Sequence, residues 1–550
     1  MGLEVILRGA RLNGAAIAIR AGGQAIRYAD LLGCSEALAS QLAPRLPPAP
    51  RGAPAGPRVG VYSEPGMPYV AATWAAWMAG GVAVPIATSH PPAEIDYVLR
   101  DAGVSAVLAP ESAADKLKAT VAAAGASLHL IPPSLFSAAI PEAEADAAAG
   151  RGDAAEAAAA AAERARSHAA AGASGGFDDG RGALIIYTSG TTGRPKGALH
   201  THGSLSAQIT CLADAWRWRA SDRILHALPL HHIHGIVNAL HCAHAAGACV
   251  DFMASFQPNS AWRRLRDAPI SVLMAVPTMY SYLLMAHDRM APDQQSAARA
   301  AAARLRLAVS GSAAAPVALL RRWEEVSGTA LLERYGMTET GMILSNPYEG
   351  ERRAGFVGVP LPGVAVRVAP DAAAPRGEAA ARGGAQGDLR VGGPCLFKEY
   401  WGRPEATAEA FDSDGFFKTG DVVSLEGEPP YYKILGRASV DIIKSNAFKV
   451  SALEVEGAVL QHAGVQECAV LGVADELHGE VIAALVVPAD GGAAALAAEG
   501  GGDAAAALRA FCAERLPKYK VPSVWKILDE PLPRNAMGKV NKKDLLKRFF

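Results

Sequence analysis

The chain has 550 residues, half of them hydrophobic, with 53 Lys and Arg against 54 Asp and Glu. That length exceeds one core, so two or more domains are expected. The net charge of −1 leaves no global charge that argues for nucleic acid or an anionic membrane surface.

In chain order, the first residues lack a secretory apolar core. Arg8, Arg11 and Arg20 against one acid, Glu4, are faint presequence character, yet folded pattern starts at Ala16–Ile19. A cytoplasmic location is expected, with a mitochondrial one as the alternative. Seven scattered cysteines without a C-x-x-C pair fit reduced thiols better than disulfides or a zinc site. No apolar run reaches membrane-spanning length.

Strand-like and helix-like segments then alternate over the first four hundred residues. Val59–Tyr62 precedes Ala71–Ala79, Ala106–Ala109 precedes Ser112–Ala124, Ser271–Val276 precedes Met279–Ala286, and Arg306–Val309 precedes Val317–Val326. Alternation of this kind predicts parallel α/β layers. Three Ala- and Gly-rich stretches, 139–182, 370–387 and 489–507, read as surface insertions or linkers, with a short solvated helix in the first. After Gly436-Arg437 the apolar segments shorten, which predicts a compact α+β domain. The expected organisation is a large N-terminal α/β domain of several subdomains over 1–435, a hinge over 436–441 and a small mobile α+β domain over 442–550.

Chemistry is densest in Tyr187-Thr-Ser-Gly-Thr-Thr-Gly-Arg-Pro-Lys-Gly197, which follows the apolar Ala183–Ile186. Thr188, Ser189, Thr191 and Thr192 supply hydroxyl donors. Gly190 and Gly193 let backbone N–H groups crowd an anion, and Lys196 adds a mobile charge. A polyphosphate is the natural guest, although the Walker spacing is absent. Glu333-Arg-Tyr-Gly-Met-Thr-Glu339 puts Tyr335 beside Gly336, where a purine can stack. Thr338 can reach a phosphate, and Glu339 suits Mg²⁺, which shares oxygen ligands with phosphates. Gly311, Ser312 and Ala313 follow an apolar run and permit close approach of a flat ligand. Asp421, in Lys418-Thr-Gly-Asp421, can accept from two ribose hydroxyls. Near the C-terminus stands Lys539, in Leu532-Pro-Arg-Asn-Ala-Met-Gly-Lys539.

These five motifs, in this order, resemble the adenylate-forming superfamily of acyl-CoA synthetases, adenylation domains and luciferases. The resemblance spans nearly the whole chain. It implies the adenylate-forming fold, with ATP, Mg²⁺ and CoA as cofactor and cosubstrates, and no obligate protein partner. It places Gly311–Ala313 against adenine, Asp421 on the ribose with Arg437 beside it, and Lys539 in the active site during adenylation. A carboxylate attacking an α-phosphate builds negative charge that such an ammonium stabilises. Lys444, Ala447 and Phe448 match the loop that lines the pantetheine tunnel in the second half-reaction. Family members usually carry two glycines where Asn446 and Ala447 stand, and a charged hinge residue where Ala438-Ser439-Val440 stand. Ala resists left-handed backbone, so thiolation is the half-reaction this departure touches.

The choice of acid rests elsewhere. Leu228-Pro-Leu-His-His-Ile-His-Gly235, Val276-Pro-Thr-Met-Tyr280 and Arg334–Pro347 most resemble malonyl-CoA synthetases of the organellar type. His231 and His234 are expected at the acid, His231 also among the catalytic residues with Lys539, Thr338 and Glu339. A second carboxylate cannot be buried without a partner, and a guanidinium suits it best. Arg334 is the first candidate, with Arg352 and Arg353 as alternatives. Ion pairing of these arginines with Glu333, Glu349 or Glu351 is the bland competing reading. Short or medium monocarboxylates, or methylmalonate, are the nearest rival substrates. A carrier-feeding adenylation domain is less expected, since no carrier segment follows Phe550. A catalytically inactive adenylate-binding protein is the remote alternative.

Overall fold

The computed structural model describes residues 4–48, 56–151, 178–188, 194–370, 386–445, 448–475, 477–534 and 540–550. Ser189, Gly190, Thr191, Thr192 and Gly193 of the phosphate loop, Asn446, Ala447 and Lys539 lie outside these residues, as does most of the 139–182 stretch.

Two large mixed sheets dominate. One has ten strands, its centre built from Leu332–Met337, Leu307–Ser310, Val272–Ala275, Arg223–His226 and Cys249–Phe252 running parallel. The other has seven, with Arg58–Tyr62 between Val82–Ile86 and Val104–Pro110 in parallel register. Residues of both sheets share one core with the helix Met67–Met78, where Val70, Ala71, Ala72, Trp74, Ala75, Ala76 and Trp77 are all buried. A helix apolar on every side belongs between layers, and this one lies there. The alternating segments of the sequence fall on observed strands and helices.

Two expectations are corrected. The α/β alternation does not run to the end of the large unit. Ala365–Pro370, Gln386–Gly392, Phe417–Glu426 and Tyr431–Arg437 form a separate antiparallel four-stranded sheet. Its strands alternate: from Gln386 to Val391, Gly387, Leu389 and Val391 are buried and the residues between them more exposed, the period of a sheet with one solvated face. The 489–507 stretch is not a linker. It contains the helix Gly492–Glu499 and the first turn of Ala504–Ala513; Leu496 within it and Leu508 just past it are fully buried. Alanine's helix propensity, with one leucine per helix as anchor, outweighs the low complexity.

Residues beyond 441 build their own sheet from Ile442–Ser445, Phe448–Ser451, Val465–Asp475 and Gly479–Pro488, with Val524–Ile527 alongside. Val455, Val459, Val470, Val486 and Leu508 form its core.

Buried imidazoles give this fold an acid limit. His200 and His226 are pulled down to about 4, and His241 and His244 to about 3, each by burial first. Unfolded, these rings take up protons near their ordinary value of 6.5, so below it the unfolded state binds more protons. Stability is therefore fully present above pH 6.5 and lost as pH falls towards 4, by about 1.4 kcal/mol per ring per pH unit. Urea midpoints taken from pH 7 to pH 4.5 should fall steeply; a flat profile would reject neutral buried rings.

Candidate active site

The hairpin Leu332–Met337 and Gly341–Ser345 carries the first group of residues. Gly336 has no room for a side chain: a Cβ there would lie 2.2 Å from the Gly341 carbonyl oxygen. The Tyr335 hydroxyl donates to the Asp421 carboxylate, and Arg437, directly opposite Asp421 in the neighbouring sheet, reaches it with Nε at 3.0 Å. Burial, then the Asp421 charge, holds the Tyr335 hydroxyl well above its ordinary range, so it stays a donor. The structure thus joins three residues that the sequence separates by about a hundred positions.

Glu339 is buried, and its carboxylate accepts from the Tyr400 hydroxyl at 2.9 Å. The Lys196 ammonium lies 5.0 Å from the centroid of the same tyrosine ring. Lys196 pairs with Thr188 across the base of the phosphate loop. His200 Nε2 donates to the Thr338 carbonyl at 2.7 Å, tying the hairpin to the strand that carries Lys196. Among the described residues no group of three or more His, Cys, Asp or Glu side chains forms a metal cage. One buried carboxylate fits an ion that takes most of its oxygens from phosphates and water, as Mg²⁺ does.

Behind the loop, Tyr97 donates to the Pro195 carbonyl at 2.7 Å, and Tyr187 donates to Asp101 at 2.8 Å. Arg403 closes the network on Asp101 at 2.8 Å and on the Tyr97 hydroxyl at 3.2 Å. Tyr400, His200, Asp101, Tyr97 and Arg403 were not anticipated. Only the aromatic pair Tyr400-Trp401 before Gly402 could have drawn notice.

A second group lies on the parallel strands beside the hairpin. Ser310 is the register partner of Glu333, which sets Gly311 beside Arg334. The guanidinium lies so close that a Cβ on Gly311 would be 2.5 Å from its Cζ. Ser312, at φ +68°, turns its hydroxyl to His234 Nδ1 at 3.2 Å, while Ala313 beside it is exposed. His234 opens a π-helix, His234–His241, a form often found at functional sites. Arg334 is 4 % exposed, and its Nε and Nη2 meet no protein partner. His234 Nε2, Ser310 Oγ and both amide atoms of Asn238 are likewise buried and unpartnered. Burial pulls Arg334 down to about 9, so it stays charged at neutral pH, whereas burial and then Arg334 push His234 well below its ordinary value. A cation with idle donors, a neutral imidazole and no acid pairing with them form a place for an anion.

His231 stands apart from this group. It packs against His90 and His232, with ring centroids 5.7 and 4.1 Å away, and burial brings it to about 4. It lines a cleft of about 280 Å³ between the two large sheets, with Ser63, Glu64, Thr88 and Ser89 on the other wall.

The alternatives Arg352 and Arg353 are corrected. Arg352 spends its guanidinium on the carbonyls of Ala330, Pro347 and Tyr348. Arg353 pairs with Glu351 at 3.0 Å and lies over the Tyr431 ring. Glu333, pushed up to about 8 by burial, accepts from the Gly355 N–H at 2.8 Å. Lys444 and Phe448 are exposed on the small sheet, away from Arg334 in sequence and sheet alike. Phe448, 49 % exposed, stacks on Tyr519, 42 % exposed, with centroids 4.4 Å apart.

Known proteins resemble the chain in sequence and in fold. A sequence profile of AMP-binding enzymes matches residues 7–401, and one of the AMP-binding enzyme C-terminal domain matches 454–539. The human mitochondrial malonate–CoA ligase ACSF3 is 40 % identical over 507 residues, covering 88 % of this chain and 81 % of that protein. ATP-bound MatB from Rhodopseudomonas palustris superposes with a TM-score of 0.79 at 33 % identity, over 100 % of this chain and 99 % of that one. A malonyl-CoA ligase ternary product complex with methylmalonyl-CoA and AMP superposes with a TM-score of 0.62 at 36 % identity, over 95 % and 97 %.

Proposed function

The chain belongs to the AMP-binding enzyme family, with its large N-terminal and small C-terminal domains, and from that premise we propose that it is an ATP-dependent malonate–CoA ligase. Malonate and ATP give malonyl-adenylate and diphosphate; the CoA thiol then displaces AMP to give malonyl-CoA. The observation that carries the acid is the buried Arg334 guanidinium with idle donors beside His234.

On this reading one malonate carboxylate meets Arg334, His234 and the Ser310 hydroxyl. The other is left free to attack the α-phosphate. Fixing the spectator end supplies the orientation that a small, rotating dicarboxylate lacks in solution. Tyr335 and the backbone from Gly311 to Ala313 take the adenine, Asp421 and Arg437 the ribose, and Thr188 to Gly193 with Lys196 and Thr338 the phosphates. Glu339 would hold Mg²⁺, which when bound neutralises charge on the phosphate oxygens. Tyr400 orients that carboxylate, and the Asp101 network holds the strand ends that frame the phosphate loop. His231 lies in the cleft by which a thiol approaches, and Lys444, Ala447 and Phe448 face the pantetheine after the small domain turns about 436–441.

The seven cysteines are all free thiols, which fits a reducing compartment such as the cytoplasm or the mitochondrial matrix. Among the described residues, no helix is long and apolar enough to cross a membrane.

Pyrophosphate release measured with malonate, methylmalonate, acetate and octanoate, with and without CoA, tests the assignment. Malonate should lead the other acids; a preference for acetate or octanoate would reject it. Phe448→Ala should raise the KM for CoA by about tenfold, the loss of one stacked aromatic contact, and leave the KM for malonate in place. An unchanged CoA dependence would remove Phe448 from the thiol path.

A further inference from the structure

A buried cluster at the connection between the domains has no part in the chemistry described so far. Asp441 is buried, and its carboxylate faces two ways. Oδ2 accepts the N–H of Arg437 at 3.0 Å, and Oδ1 accepts from Lys542 Nζ at 2.6 Å. The same ammonium meets Glu456 at 2.7 Å, and Glu456 also accepts the Val470 N–H at 2.8 Å.

The partners belong to different sides. Arg437 is the last residue of the four-stranded sheet, held by its pairing with Asp421 and by the guanidinium on that carboxylate. Asp441 ends the connection on the small-domain side, where its carbonyl accepts the Ala452 N–H at 2.7 Å. Lys542 opens the last helix, three residues after Lys539. Between Arg437 and Asp441 lie Ala438, Ser439 and Val440, none of which carries a charge. Gly436, at φ +130°, leaves the space that Asp441 fills: a Cβ there would stand 2.3 Å from the Asp441 Cβ.

We propose that Asp441 is a latch across the interdomain connection, held in place by Lys542. Closed, it fixes the small domain in the arrangement that forms the adenylate; open, it frees the domain to turn for thioester formation. Both are positioning residues, and the inference rests on the two-step ligase reading. Asp441, Lys542 and Glu456 travel together with the small domain, so turning must break the Arg437 N–H···Asp441 bond, along with the Asp441 N–H bond to the Arg437 carbonyl at 2.8 Å and the Ser451 hydroxyl's bond to the Leu435 carbonyl. The cluster holds two carboxylates on one ammonium. The Asp441 carboxylate itself, ionised and held by Lys542, is a charged acceptor for the Arg437 N–H. The latch is closed in a structure that superposes better on the ATP-bound relative than on the product complex.

Asp441→Asn tests this without leaving an unpaired buried charge, since Lys542 and Glu456 remain a balanced pair. Malonyl-adenylate formation in single turnover should fall about tenfold, the worth of one charge-assisted hydrogen bond. Thioester formation from supplied malonyl-adenylate should hold or rise. Lys542→Gln should shift the ratio the same way, and serves if Asp441→Asn folds poorly. Lys542→Arg should restore it. Glu456→Gln removes a charge from the cluster without touching Arg437, and should leave the ratio of half-reactions unchanged. Equal loss in both half-reactions, or a Glu456→Gln effect equal to that of Asp441→Asn, overturns the latch. Fluorescence energy transfer between labels on the two domains, in the absence of any acid, reads the same device independently of substrate. Asp441→Asn should lower the population of the closed arrangement, and an unchanged distribution overturns the latch even if the acid proves not to be malonate.

Discussion

Arg334→Met is expected to lower kcat/KM for malonate by about a hundred- to several thousandfold while changing that for acetate by less than about tenfold. The figure follows from the cost of leaving a buried charge without its partner, about 3–5 kcal/mol. In the complex that charge is the spectator carboxylate of malonate. Acetate has no such group, so it loses only packing. Methionine keeps much of the side-chain volume and brings no new donor. The same substitution should leave the unfolding midpoint unchanged or raise it, because it removes a buried cation whose Nε and Nη2 no protein group among the described residues satisfies. Activity lost with stability kept is the signature of a residue held for its ligand. Equal losses for malonate and acetate, or a marked drop in stability, would make Arg334 a structural residue.

The second large effect belongs to Lys539→Ala. Adenylate formation should fall by about 10²–10³, the usual worth of one group placed where charge develops in the transition state. Thioester formation from supplied malonyl-adenylate should persist, because no new charge on phosphorus has to be stabilised in that step. Rapid-quench assays of each half-reaction separate the two. A parallel fall in both would assign Lys539 to the fold of the small domain.

Much of this site could be read from the chain because its parts are contiguous. The turn after Ala183–Ile186 and the segment Glu333–Glu339 each hold several functional groups within one loop or hairpin. Local spacing then suffices. Tyr400, His200 and Asp101 were hidden for the opposite reason. Tyr400 and His200 reach from the seven-stranded sheet to the hairpin, and Asp101 from a helix to a strand, on residues 61, 138 and 86 positions away, and nothing in the local pattern marks such a pairing. The arginines show a further limit. Arg334, Arg352 and Arg353 are alike as letters. What separates them is whether backbone carbonyls or Glu351 already occupy the guanidinium, and that is decided by packing. The alanine-rich stretch 489–507 was misread because composition says little about two anchors, Leu496 within it and Leu508 just beyond it.

The contact between the Tyr335 hydroxyl and Asp421 bears on how a nucleoside enters. The carboxylate assigned to the ribose under the proposed function does not stand in open water: it holds a phenolic O–H and a guanidinium. A sugar hydroxyl arriving there replaces one donor with another of similar strength, and the count of hydrogen bonds scarcely changes. The sugar is thus a matter of register rather than of grip. Discrimination among nucleotides then falls to the ends of the molecule, the base and the phosphate chain, with the carboxylate acting as a gauge of where the ring sits between them.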